Sequence, residues 1–110
     1  MSSLSTHVLD TMHGRPAQDV PLRLDAASGA LLFEGQTNAD GRCGGMPDLP
    51  PGRYRLTFAI GRYFEKMGLD LPDPPFLDDV AIDFGIADAT GHYHVPLLVS
   101  PFGYSTYRGS

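Results

Sequence analysis

The sequence predicts a mostly β protein, an antiparallel sandwich of seven or eight short strands with one short helix. Three observations predict it. Apolar and polar residues alternate through most of the chain, the period of a half-buried strand. Thirteen glycines and ten prolines are spread along the 110 residues and break the alternating runs at short intervals. Only one stretch has the spacing of an amphipathic helix.

Ser5 to Met12 reads as the first strand, with His7 and Leu9 on one face and Val8 and Asp10 on the other. His13-Gly14-Arg15-Pro16 stops it, and His13 in that turn is expected to be solvated. Val20 to Ala26 alternates again, Val20, Leu22 and Leu24 opposing Arg23 and Asp25. Ser28-Gly29 turns the chain, and Ala30 to Thr37 returns as a hairpin partner. Asn38-Ala39-Asp40-Gly41-Arg42 is a tight reversal, because Asp-Gly supplies the positive-φ position.

Cys43 to Gly52 holds three prolines and three glycines and reads as loop or at most a short edge strand. Arg53 to Ile60 is a strand, with Tyr54, Leu56, Phe58 and Ile60 on its apolar face. Arg62 to Leu69 is the helix: Tyr63, Phe64 and Met67 share one side, Glu65 and Lys66 face water, and Gly68 caps it. Leu71 to Pro75 is loop, and Val80 to Ile86 is a strand. Thr90-Gly91 then leads into the final hairpin, His92 to Ser110.

That hairpin carries an unusual load for a chain end. Side chains of Tyr93, Val95, Leu97 and Val99 form a core face, while His92, His94, Pro96 and Leu98 share the other. In the closing strand Ser105, Tyr107 and Gly109 share a face. A polar set of this kind lines a pocket or an interface, or faces solvent. Pro96 is expected at an edge or a bulge, where its missing N–H is not needed. The chain stops at Tyr107-Arg108-Gly109-Ser110 with no polar tail, which suggests that the end itself is used.

Bulk properties bound the function. A length of 110 residues fits a single domain, residues 1–110, with no composition shift to divide it. The net charge of −5 argues against nucleic acid as the main partner. A lone cysteine, Cys43, excludes an intrachain disulfide and fits a reducing compartment. Met1 to Leu9 lacks the pattern of a signal peptide, and no stretch approaches the roughly eighteen apolar residues of a membrane span. A cytoplasmic protein with no membrane partner is the expectation. His92 and His94 are spaced for one metal, but no Cys or carboxylate cluster accompanies them, so no metal site is assigned. There is neither a phosphate-binding glycine loop nor a Gly-x-Ser-x-Gly elbow. Cys43 reads as a small filler beside Gly44-Gly45, and Asp78 and Asp79 as solvated loop charge.

Four segments taken together resemble one family. They are Leu4-Ser5-Thr6-His7-Val8-Leu9-Asp10 with Gly14-Arg15-Pro16-Ala17, Thr37-Asn38-Ala39-Asp40-Gly41-Arg42, His92-Tyr93-His94-Val95-Pro96-Leu97-Leu98, and Tyr104 to Ser110. In order and spacing they are similar to the 5-hydroxyisourate hydrolases, the transthyretin-related enzymes of urate breakdown. The terminal Tyr-Arg-Gly-Ser is the most specific part, and transthyretin itself lacks it. The resemblance implies a transthyretin-like Greek-key sandwich of two four-stranded sheets with one short helix. It also implies a homotetramer, a dimer of dimers, with shared sites where the dimers meet. His7, His94, Leu98, Ser105 and Tyr107 would then line that channel.

The activity implied is hydrolysis of 5-hydroxyisourate to 2-oxo-4-hydroxy-4-carboxy-5-ureidoimidazoline by opening of the cyclic amide, with no cofactor. The catalytic set implied is His7, Arg42, His94 and Ser110, with His7, Arg42 and Tyr107 touching substrate. Such residues suit the chemistry, since an imidazole can take a proton from water at neutral pH and a guanidinium can hold a planar ring and an oxyanion. His92, nearer the hairpin end, is left outside this set. Two other classes compete: a transthyretin-like carrier of a small ligand, and a non-enzymatic β-sandwich interaction module. A carrier has no need of two imidazoles and an arginine on its channel face. An interaction module leaves the polar face of the last two strands unexplained.

Overall fold

The computed structural model describes residues 1–110 and contains eight strands and one helix. In chain order they are β1 (Ser3–Asp10), β2 (Arg15–Pro16), β3 (Pro21–Ala26), β4 (Leu31–Gln36), β5 (Gly52–Ala59), α1 (Ile60–Lys66), β6 (Asp79–Ile86), β7 (His92–Ser100) and β8 (Gly103–Thr106). They form two four-stranded sheets, ordered β2-β1-β7-β8 and β4-β3-β5-β6. Twenty buried apolar residues make a single cluster, to which both sheets and the helix contribute. Strand parity produces this: Leu4, Val8, Tyr93, Val95, Leu97 and Val99 point inward from one sheet, and Leu22, Leu24, Leu56, Phe58, Val80 and Ile82 from the other. No helix is long and apolar enough to cross a membrane.

One pairing departs from an antiparallel sandwich. β1 and β7 run parallel, in register from Ser3–His92 to Asp10–Val99. Nearly the whole chain separates them, so no hairpin turn fixes their relative direction, and only the packing of the second sheet does. A second departure concerns Pro96. It lies not at an edge but in β7, between β1 and β8. β8 pairs with β7 up to Leu97–Thr106, and an isolated bridge resumes the same register at His94–Gly109. The interrupted rung falls at Pro96, where the Thr106 hydroxyl donates to the proline carbonyl at 2.8 Å instead.

The helix starts two residues earlier than its apolar spacing indicates, because Ile60 and Gly61 are already buried in its first turn. It also ends three residues earlier, at Lys66 rather than Leu69, but Gly68 caps it as expected. Gly68 has φ of 84°, its N–H bonds the Glu65 carbonyl, and the Leu69 N–H bonds that of Phe64. The segment 43–51 is loop, pinned by a bridge between Leu49 and Ser2. Asp79 opens β6 rather than lying in the preceding loop.

His13 is not simply solvated. Its ring Nδ1 lies 2.6 Å from Asp10 Oδ2, and its backbone N–H donates to Asp10 Oδ1 at 2.9 Å. The Tyr63 hydroxyl donates to the same carboxylate at 2.7 Å, tying α1 to β1. Burial alone would push the Asp10 carboxyl up, but the hydrogen bonds from Tyr63 and His13 outweigh it and leave the group below its ordinary value. Burial, and then the bond to Asp10, push the Tyr63 phenol upward. Asp10→Ala would strand two polar groups and is expected to cost on the order of 3 kcal/mol, a fall in Tm of roughly 10–20 °C. The sign of the pH dependence follows from the lowered pKa of Asp10. Stabilisation by Asp10 is complete above the ordinary carboxylate value of 3.8 and is lost as pH falls through the folded one. Thermal unfolding of both proteins between pH 7 and pH 2 checks this; an equal gap across that range would contradict it.

Candidate active site

The outward face of the β2-β1-β7-β8 sheet carries the polar residues singled out from the sequence. The parallel register sets Ser3 beside His92, Ser5 beside His94, His7 beside Pro96 and Leu9 beside Leu98. Since directly paired residues share a face, His7 and His94 stand on the same surface in adjacent rows of neighbouring strands.

Arg42 reaches this face by way of the turn at residues 37–42. Thr37 is buried; its hydroxyl accepts from the Val20 N–H at 2.9 Å and donates to the Ala17 carbonyl at 2.7 Å. Asn38 closes the loop, its side-chain oxygen accepting the N–H groups of Asp40 at 2.9 Å and Arg42 at 3.1 Å. Gly41, at φ of 75°, passes so close to β1 that a Cβ there would collide with the Val8 carbonyl oxygen. Its own carbonyl accepts the Val8 N–H at 2.8 Å. The bridge between His7 and Arg42 follows directly. Arg42 thus flanks His7 on one side of β1, while β7 and His94 lie on the other.

On the far side of β7 the terminal segment is anchored residue by residue. Arg108 lies over the Tyr93 ring, its guanidinium carbon 4.0 Å from the centroid. Gly109 donates its N–H to the His94 carbonyl at 2.8 Å. A Cβ on Gly109 would overlap the His94 ring. The glycine of the terminal motif is therefore a packing requirement of the histidine, which sequence reading alone did not reveal. Gly109→Ala is expected to displace His94 and lower turnover about tenfold while leaving Tm within a few degrees. Steady-state kinetics and thermal unfolding of the variant decide it; unchanged turnover would remove the packing role.

The register carried past Thr106 sets Tyr107 opposite Pro96, and its side chain is exposed. Ser110 is exposed and makes no hydrogen bond to His7, Arg42 or His94. His7, Arg42 and His94 thus come together on one surface, Tyr107 borders it, and Ser110 follows the glycine that packs on His94.

Electrostatics distinguish His94. Burial lowers its proton affinity below the ordinary imidazole value of 6.5, and the charge of Arg42, then of His7 and His92, lowers it further. Its Nδ1 lies 2.7 Å from the Ser5 hydroxyl. That leaves Nε2 as its free ring nitrogen. Neither Ser5 nor His92 was assigned a role from the sequence, and only the parallel pairing of β1 with β7 joins them to His94. No group of three or more His, Cys, Asp or Glu side chains converges as a metal site would require.

The same arrangement can be set beside known proteins. The family model described as HIUase/Transthyretin family matches residues 4–109. The chain belongs to that family. It is 52% identical over 115 residues to a 5-hydroxyisourate hydrolase of Caulobacter vibrioides, covering all of both chains. It superposes on the 5-hydroxyisourate hydrolase of Klebsiella pneumoniae with a TM-score of 0.87 at 41% identity, again over 100% of each chain. Against transthyretin from Sparus aurata the TM-score is 0.85 at 30% identity, over 96% of this chain and 95% of that one. Membership in the family therefore leaves an enzyme and a transthyretin on the same scaffold, and the site's composition has to separate them.

Proposed function

We propose that this chain, as one domain, hydrolyses 5-hydroxyisourate to 2-oxo-4-hydroxy-4-carboxy-5-ureidoimidazoline. The observation that carries the reading is the convergence of His7, His94 and Arg42 on one sheet face, in a chain 52% identical to a 5-hydroxyisourate hydrolase. Water adds to the C6 carbonyl, and an imidazole of the His7 and His94 pair takes its proton. Arg42 holds the planar heterocycle and stabilises the oxyanion of the tetrahedral intermediate. The C6–N1 bond then breaks, N1 leaves with a proton to become the ureido nitrogen, and C6 stays on the ring as the carboxylate of the product. Tyr107 borders the substrate and Ser110 contacts the water or the substrate. No step calls for a cofactor.

In this reading the working form is a homotetramer, a dimer of dimers, whose sites lie where the sheet faces of two dimers meet. The half-buried Leu98 and the exposed Tyr107 on that face suit a covered surface better than open solvent. A cytoplasmic location accords with the single free cysteine. The transthyretin likeness favours one second reading, a carrier that binds a small ligand on the same face without chemistry.

Ultraviolet absorbance of freshly made 5-hydroxyisourate, generated from urate by urate oxidase, separates the two. Wild type is expected to speed its decay well beyond the spontaneous rate. His7→Ala and a chain shortened by Ser110 are expected to lose most of that acceleration while remaining folded. Decay no faster than in buffer would leave the carrier reading standing.

A further inference from the structure

Beside the site runs a polar chain that the hydrolytic scheme does not yet use. The Ser3 hydroxyl lies 2.6 Å from His92 Nδ1, and His92 Nε2 lies 3.0 Å from the Ser5 hydroxyl. Ser5 in turn lies 2.7 Å from His94 Nδ1. Four side chains from β1 and β7 are thus linked end to end, because the parallel register sets each serine opposite one histidine. The chain ends in the ring whose other nitrogen is free.

Proton counting limits what such a chain can do. A serine hydroxyl has one proton to donate, and a neutral imidazole has one N–H and one bare nitrogen. Only two orders are therefore consistent from end to end. In the first, Ser3 donates to the Gly91 carbonyl, 3.4 Å away, and accepts from His92 Nδ1–H. His92 Nε2 then accepts from Ser5, and Ser5 accepts from His94 Nδ1–H, so His94 Nε2 is bare. In the second order every bond is reversed, and His94 Nε2 carries the proton.

The surroundings favour the first order. It gives each of the four protons an acceptor within the protein. The second leaves an N–H on His94 Nε2 with no protein acceptor, near Arg42, which offers only donors. We propose that Ser3, His92 and Ser5 are positioning residues that hold His94 as its Nδ1–H tautomer, with Nε2 bare to take a proton from water. When Nε2 accepts that proton, the Nδ1–H bond to Ser5 stays in place, so the chain need not reorganise during the step.

The kinetic consequence rests on the hydrolase reading, whereas the tautomer does not. The full chain labelled with 15N is therefore examined without substrate, at a pH where the imidazoles are neutral. Ring 15N shifts are expected to show His94 protonated at Nδ1 in wild type. They should show a mixture of tautomers in Ser5→Ala and in His92→Phe, and a return to Nδ1–H in Ser5→Thr, which keeps the hydroxyl. In the 5-hydroxyisourate assay, kcat of Ser5→Ala should fall about tenfold with KM within about twofold, a pattern that lost substrate binding would not give. His94 protonated at Nε2 in wild type would overturn the proposal. So would an Nδ1–H tautomer unchanged in Ser5→Ala or His92→Phe, or a shifted tautomer with kcat unchanged. A protein with the expected tautomers but no turnover would instead overturn the hydrolase reading and leave the tautomer assignment intact.

Discussion

His94→Ala is expected to lower kcat/KM for 5-hydroxyisourate by about a hundredfold to ten-thousandfold, the usual worth of a positioned acid–base group. The side chain is half-buried at the sheet surface, so the truncation should leave the core and the fold intact. The pH profile gives a second readout. Burial, and then Arg42, His7 and His92, hold the His94 imidazole below 6.5. The neutral form is the base, so activity should persist above the lowered value and fall as pH drops through it. The acid limb of wild-type kcat/KM is thus expected below pH 6.5 and should be absent from the residual activity of the variant. Stopped-flow decay of 5-hydroxyisourate between pH 5 and pH 8 measures both. A variant with wild-type rate, or the same limb in both proteins, would remove His94 from the chemistry.

Arg42 should matter almost as much, and its substitutions separate shape from charge. Arg42→Lys keeps a positive charge but loses the planar fork of donors, and Arg42→Gln loses the charge as well. Each is expected to lower kcat/KM about a hundredfold to a thousandfold through lost oxyanion stabilisation. The turn should survive in both, because Asn38 holds the backbone of Arg42 and not its side chain. The acid limb should separate them. With Lys the neighbouring charge remains and the limb stays low. With Gln one of the groups that lowers the His94 value is gone, so the limb should move up. Equal limbs in the two variants would show that Arg42 does not influence His94 by charge. Kinetics close to wild type in Arg42→Gln would remove the guanidinium from the reaction.

How much of this site the sequence disclosed depended on the reach of each interaction. The turn at Asn38 to Arg42 was legible because its hydrogen bonds connect residues no more than four apart. The face shared by His92 and His94 was legible from the two-residue period of one strand. The helix was legible as an element but two residues out of place, since burial of Ile60 and Gly61 depends on what they pack against. His13 looked solvated because its turn is local, while the environment of its partner Asp10 is set by Tyr63, fifty-three residues away. Pro96 looked like an edge residue because nothing near it in the chain announces that β8 skips a rung.

By itself the sequence determined the class of fold, the alternation that builds one core, and the residue types available for hydrolysis. These are consequences of local periodicity, turn chemistry and composition, each decided within a few residues. The tertiary structure alone decided that β1 and β7 lie side by side in parallel. That pairing sets His7 near His94 and threads Ser3, Ser5 and His92 into one chain, while the approach of Gly41 to the other side of β1 brings Arg42 to the same face. Strands separated by some eighty residues carry no local signal of their partner or direction, because both are fixed by the shared burial of their inner faces.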